Sequence, residues 1–259
     1  AERLGRMDSC AVSDAMDKLG LPGSVTGIGR VSTDQRITGR VLTVKLDKAE
    51  GRTSTRHLCT AAIEAAEPGD IIVCEQRTGL DAACWGGNLT IGAQMRGVAG
   101  AIIEGPARDI DESRQLGFPV FARQITGRTA RGRIVEVETG QPIQVGDVTV
   151  RPGDYVIADA SSVVFIRPED IERVLEAAEN IWAREALIAQ LRVAGELHPI
   201  LHLTLQQVHR FILALVILHG QRMPCRNVQD LADVSVCMGP DGFMAPRFGD
   251  MAYVDTTTH

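Results

Sequence analysis

The chain has no CxxC pair. Its six cysteines (Cys10, Cys59, Cys74, Cys84, Cys225, Cys237) are scattered through 259 residues. That excludes paired-thiolate zinc spacing and offers no secreted disulfide framework, so the expectation is small buried thiols in a reducing compartment. Long apolar runs are missing too. The most apolar stretch, "FILALVIL" at 211–218, is far short of the roughly 20 residues that span a bilayer, and it follows Gln206, Gln207, His209 and Arg210. The segment "AERLGRMDSC" carries no apolar signal core. Positive charge is not in excess: 27 Lys and Arg against 33 Asp and Glu leave a net charge of −6. This argues against a nucleic-acid binder working through a broad basic surface, while leaving room for a local cationic pocket. A cytoplasmic protein with neither membrane nor nucleic acid as partner is expected.

What is present is a mixed α/β pattern. "SCAVSDAMDKLG" reads as an amphipathic helix with Ser9 or Ser13 as candidate caps and Gly20 as its stop. "RITGRVLTVKL" reads as a strand, "TRHLCTAAIEAA" as a helix, and Pro68-Gly69-Asp70 turns the chain into the strand "IIVCE". A loop through Trp85-Gly86-Gly87 then opens a helix from about Asn88 to Arg96, Gly97 stops it, and "AGAIIEG" forms the next strand. This is a βαβ unit, for which a parallel pair is expected. "FPVFAR" adds another strand. From 133 to 166 short strands alternate with Gly-Asp and Pro-Gly-Asp turns, and the two PGD turns (68–70 and 152–154) are read as recurring turn chemistry. "RPEDIERVLEAAENIWAREALIAQL" is the clearest helix, with Pro168 suited to its first turn and Glu169 and Asp170 complementing the positive end of its dipole. Its apolar stripe Ile171, Val174, Ala178, Ile181, Ile188 is interrupted by Glu185. Glu185 either reaches solvent at the stripe's edge or is presented to a site across an interface. Five of the six histidines (His198, His202, His209, His219, His259) lie beyond residue 195; without a nearby acidic partner, the His198/His202 pair reads as surface histidines.

The chemistry concentrates in residues 82–112. Unpaired N–H groups and the positive dipole end of a helix, with Gly86 and Gly87 permitting close approach, form a place for a carboxylate or phosphate at Gly86-Gly87-Asn88-Leu89. Arg108 can hold such a carboxylate and stabilise an enolate beside it. Asp109 offers a hard oxygen for Mg²⁺ or Mn²⁺. In a βαβ unit the loop after the second strand and the loop before the helix share one end of the sheet, so these features can converge. An Arg-Asp surface turn with a local ion pair is the competing reading. Trp85 is either a pocket wall or a packed core residue.

From about Ser9 to Glu196, some three quarters of the sequence, the chain resembles the family that includes the RraA regulators of ribonuclease E and the class II pyruvate aldolases. The resemblance is carried by "SDAMDKLG", "RITGRVLTV", "EPGDIIVCE", "WGGNLTIGAQMRGVAGAIIEGPARD", "GFPVFAR" and "VRPGDYVIAD". It implies a swivelling β/β/α fold over residues 1–195 with a C-terminal helix, and leaves 196–259 as an atypical C-terminal extension. It implies homotrimers or homohexamers with sites between subunits. It implies that Asn88 and Leu89 amides, with Arg108, hold a pyruvate carboxylate, that Asp109 binds the divalent metal, and that Glu185 of a neighbouring subunit orders water there. Three departures stand out. Gly87 occupies the place where the aldolases commonly carry an acid, "DASSVVFI" lacks a turn glycine, and the tail from about Leu197 is unlike the family.

The expected activity is therefore a divalent-metal-dependent carbon–carbon lyase that cleaves a 4-hydroxy-2-oxo acid to pyruvate, with oxaloacetate decarboxylation alongside. The leading alternative is an RraA-type regulator that inhibits ribonuclease E through protein contacts; regulators resembling this family lack the aspartate after the arginine. Another metal-dependent 2-oxo-acid reaction on the same scaffold is the next. Methyl transfer has only the lone glycine pair of "TGIGR" at 26–30 in its favour.

Overall fold

A computed structural model describes residues 1–54 and 56–193. It begins with helices α1 (Glu2–Gly5) and α2 (Ser9–Leu19), two-residue strands β1 (Ser24–Val25) and β2 (Gly29–Arg30), and the long β3 (Ile37–Lys48). Helix α3 (Thr60–Ala65), β4 (Ile71–Gln76), α4 (Gly87–Met95), β5 (Gly100–Ala107), α5 (Ile110–Gln115) and β6 (Val120–Ile125) form the α/β half. β7 (Ile134–Thr139), the hairpin β8 (Ile143–Val145) and β9 (Val148–Val150), β10 (Tyr155–Ala158) and β11 (Val163–Ile166) follow, and α6 (Ile171–Val193) closes the described part. No helix among the described residues is long and apolar enough to cross a membrane.

The strands β3, β4, β5 and β6 run parallel, as the βαβ reading required. Successive side chains of a strand point to opposite faces, and here both faces are covered. Every residue of β4 is buried: Ile72 and Cys74 join one core cluster while Ile71 and Val73 join another. In β5, Ile103 and Ile102 divide the same way. The first cluster lies under α3, α4 and α5, and the second includes Ile143, Val145 and Val150 of the β8–β9 hairpin. β3 joins the layers, pairing β10 along 37–40, β4 along 41–46 and β7 along 44–48. A third cluster packs α2 and α6 onto β10 and β11 through Val12, Met16, Ile157, Val164, Val174 and Ala178. This is the swivelling β/β/α arrangement.

The two PGD turns are the same device. Gly69 and Gly153 take left-handed φ values of 90° and 87°. Asp70 accepts from Glu67 N–H at 3.0 Å and Asp154 from Arg151 N–H at 2.8 Å. Each turn then feeds a buried strand.

Several local expectations need correcting. The cap of α2 is Asp8, whose carboxylate accepts Ala11 N–H, and neither Ser9 nor Ser13; Gly20 does end the helix in a left-handed conformation. α3 starts only at Thr60, because Glu136 on β7 captures the N–H of Cys59 and holds that residue at φ 63°. Pro168 lies in a turn ahead of α6, which begins at Ile171, instead of in its first turn, while Glu169 and Asp170 immediately precede the positive helix end. The short α5 was not expected at all. Cys59, Cys74 and Cys84 are buried free thiols but Cys10 is exposed; Cys225 and Cys237 lie outside the described residues, as do the proposed extension 196–259 and its five histidines.

Ser9 has a different task. Its N–H and hydroxyl both donate to Asp159, at 2.8 and 2.6 Å, and Ser161 N–H donates at 2.9 Å. So the turn that lacks a glycine is closed by a buried carboxylate that also ties α2 to the sheet. Burial pushes the Asp159 carboxyl up, but the Ser9 and Ser161 bonds and the charge of Arg36 outweigh it and hold the group below its ordinary range. Asp159→Ala strands these donors and is expected to cost about 1–3 kcal/mol in urea unfolding at pH 7. Because the folded pKa is the lower one, that stabilisation is present above the unfolded carboxyl's pKa and lost as pH falls through the folded value. The gap between wild type and variant should therefore close under acid conditions.

Candidate active site

Two loops meet at one end of the parallel strands. The chain before α4 pairs with the end of β5 through a bridge between Trp85 and Ala107, and Arg108 N–H donates to the Trp85 carbonyl at 2.9 Å. This register puts Gly86-Gly87 directly against Arg108-Asp109. The Gly87 N–H donates to Asp109 Oδ2 at 3.0 Å, and Arg108 Nε lies 3.4 Å from the same oxygen. The expected convergence of the glycine turn and the Arg-Asp pair is thus present. The local ion pair of the competing reading is present too, on side chains about two-fifths exposed.

Neither glycine is required by its backbone. Gly86 is extended, at φ −161°, and Gly87 begins the helix. The requirement is room. A methyl group at Gly86 would lie 2.7 Å from Asp109 Oδ2 and 3.2 Å from Arg108 Cγ, and one at Gly87 would overlap the carboxylate of Glu112. The unusual backbone belongs to Asp109, at φ 54° and ψ 40°, where it stands immediately ahead of α5. Such a conformation costs a non-glycine residue on the order of 1 kcal/mol or more, although aspartate tolerates it better than most.

A buried polar chain holds this geometry from below. Trp85 Nε1–H donates to Thr90 Oγ1 at 3.1 Å, Thr90 Oγ1 and Ser113 Oγ share a hydrogen bond at 3.0 Å, and Ser113 N–H donates to the Asp109 carbonyl at 3.1 Å. The Trp85 indole is 1% exposed and stacks on Phe118, centroids 6.1 Å apart at 8°. Trp85 is therefore a packed core residue that also contributes to the cavity lining, and its indole N–H joins the hydrogen bonds that tie the two loops together.

Above this layer is a cavity of about 540 Å³, within the ordinary range for small-molecule sites. Gly86, Gly87, Asn88, Leu89, Arg108 and Asp109 all line it. The first amides of a helix have no intrahelical acceptor, so Asn88 and Leu89 N–H groups remain for a ligand while Asp109 takes that of Gly87. Glu185, in contrast, is exposed on α6 and is not among the residues lining this cavity of its own chain. Its expected place in a neighbouring subunit's site is a matter of assembly.

Sequence reasoning missed four cationic or ionisable residues of the lining, Arg52, Arg56, His57 and Arg131, and the acidic Glu112. The first four sit on two similar polar segments, "GRTSTRH" at 51–57 and "GRTARGR" at 127–133, whose likeness was an available signal. Glu112 was legible only as the acid three residues after Asp109.

Known proteins share this chain's sequence pattern and fold. The RraA-like family model, described as Aldolase/RraA, matches residues 9–165. The chain is 31% identical over 173 residues to a protein of Halalkalibacterium halodurans provisionally named 4-hydroxy-4-methyl-2-oxoglutarate aldolase, covering 65% of this chain and 77% of that one. It is 26% identical over 194 residues to protein DlpA of Legionella pneumophila, covering 75% of this chain but only 32% of the longer relative. In fold it is similar to Streptomyces coelicolor RraAS2, described as an unusual member of the RNase ES inhibitor RraA protein family. That match has a TM-score of 0.67 at 22% identity, over 74% of this chain and 96% of that one.

Thr90→Val removes the hydroxyl shared by Trp85 and Ser113 while keeping its shape. It should lower unfolding free energy by about 1–3 kcal/mol, read by denaturant titration, because two buried polar groups lose a partner.

Proposed function

Because the chain belongs to the RraA-like, Aldolase/RraA family, we propose that it is a divalent-metal-dependent carbon–carbon lyase that releases pyruvate from a 4-hydroxy-2-oxo acid. The observation that carries this reading is the meeting of three kinds of group in one cavity: open helix amides at Asn88 and Leu89, the Arg108 guanidinium and the Asp109 carboxylate.

The donor chemistry fits a hard cation. One oxygen of Asp109 accepts from Gly87, which leaves the other for a metal. Mg²⁺ or Mn²⁺ there would take its remaining ligands from water and substrate, since such ions need few protein carboxylates; among the described residues no group of three or more His, Cys, Asp or Glu gathers. When bound there, such a cation supplies Lewis acidity at the substrate's keto oxygen.

The chain's own residues account for the rest. Arg108 and the two amides hold the carboxylate and face the oxygen where enolate charge develops, a preorganised arrangement that favours the transition state over the substrate. The 4-hydroxyl proton passes to water, the C3–C4 bond breaks, and its electron pair forms the pyruvate enolate while C4 becomes a carbonyl. Protonation at C3 yields pyruvate. With oxaloacetate the same bond breaks to release carbon dioxide. Arg52, Arg56 and Arg131 would attract the second carboxylate of a dicarboxylic substrate. Glu185 from a second copy of the chain would help order the water, in a trimer or hexamer acting in the cytoplasm. The division into an RraA-like body to residue 195 and a separate extension is part of the same proposal.

The test is pyruvate release from 4-hydroxy-4-methyl-2-oxoglutarate and from oxaloacetate, with Mg²⁺, with chelator, and with Asp109→Ala. Turnover should need both metal and Asp109, falling at least 100-fold without either, on the scale of losing one transition-state group. A folded, metal-supplied protein with no turnover, but with inhibition of ribonuclease E, would replace the lyase by the regulator.

A further inference from the structure

Glu112 makes the empty side-chain position at residue 87 intelligible. A methyl group at Gly87 would overlap Oε2 and Cδ of Glu112 and lie 2.9 Å from Oε1, so the three nearest atoms are all of one carboxylate. Gly87 is helical and not left-handed. Its backbone would accept any residue that can begin a helix, but a side chain there would displace the Glu112 carboxylate, the flexible end of an exposed side chain.

The start of α5 points the same way. Asp109 and Glu112 stand at the helix cap and three residues on, the spacing at which two side chains ordinarily cap each other's backbone. That does not happen here. Asp109 makes no cap bond and instead accepts from Gly87, and the Glu112 carboxylate lies over the same residue. Among the described residues, no side chain pairs with Glu112. Two carboxylates have been drawn away from their own helix to the N-terminus of α4, at the edge of a cavity both of them line. Like charges gathered this way repel unless something positive faces them. The helix end and Arg108 supply part of it, and a divalent cation with one or two protein carboxylates and several waters would supply the remainder.

We propose that Glu112 is the second cation-facing carboxylate of the site, and that Gly87 is there to let it in. The inference rests on the lyase reading above, since it takes Asp109 as the first such carboxylate. Residues 87 and 112 then act as a unit, and removing either should have the same consequence.

The experiment is Mn²⁺ titration followed by the electron paramagnetic resonance signal of the free ion, on full-length protein checked for folding by thermal denaturation. Glu112→Gln, which keeps the shape, should weaken Mn²⁺ affinity about 10- to 100-fold, the range for groups that support a metal site. Gly87→Ala should weaken it similarly by displacing Glu112, and the double variant should be no worse than either single one. Gly87→Asp with Glu112→Ala, which returns a carboxylate from the other side, should recover most of the affinity. Unchanged Mn²⁺ binding in Glu112→Gln alongside strong loss in Asp109→Ala would overturn the role of Glu112 and leave the lyase reading standing. Unchanged binding in Asp109→Ala would overturn that reading itself. Losses that multiply in the double variant would refute the pairing of 87 with 112; if Gly87→Ala lowers stability, Glu112→Gln and the relocated carboxylate decide the matter.

Discussion

The hydrogen bond from Gly87 N–H to Asp109 Oδ2 is the contact on which the site depends. It spans the two loops of a parallel βαβ unit, and it is reachable only because the strand register brings Trp85 beside Ala107. Asp109 adopts a left-handed backbone in making it, and the cost is met by surroundings that leave little choice. The Asp109 carbonyl accepts from Ser113, Ser113 shares a bond with Thr90, and Thr90 takes the indole N–H of Trp85. Strain of this kind persists at functional sites where packing over-determines it. Here the packing is the Trp85–Phe118 stack in the cluster under α3, α4 and α5.

Seen from this bond, the two glycines have a purpose different from the usual one. They are not hinges, since neither needs a conformation closed to other residues. They are spaces. Gly86 admits Arg108 and Asp109, and Gly87 admits Glu112. The glycine at 87, where the resembling aldolases commonly carry an acid, need not mean a site short of a carboxylate. On our proposal the charge comes from the neighbouring helix.

Much of the fold could be read before any coordinates. Burial on both faces made β4 and β5 stand out as apolar runs, and Gly20, Gly97 and the two PGD turns marked ends that the backbone confirms. What could not be read depended on contacts between segments distant in sequence. The cap of α2 shifted to Asp8 because Ser9 is taken by Asp159, 150 residues away. α3 lost its first turn to Glu136, 77 residues on. The site divides in the same way. Gly86, Gly87, Asn88, Leu89, Arg108 and Asp109 lie on one continuous unit and were legible together. Arg52, Arg56, His57 and Arg131 come from two other loops and were not. Glu112 was hidden differently, since its spacing from Asp109 suggested an ordinary helix cap.

The central claim is that Arg108 and the first amides of α4 hold a 2-oxo acid beside Asp109. A crystal structure with Mn²⁺ and oxalate, a planar stand-in for the pyruvate enolate, tests it most directly. The account predicts oxalate against Arg108 and the Asn88 and Leu89 amides, with Mn²⁺ between it and Asp109. Oxalate lodged elsewhere, or a cavity left vacant at saturating concentrations of both, would contradict it.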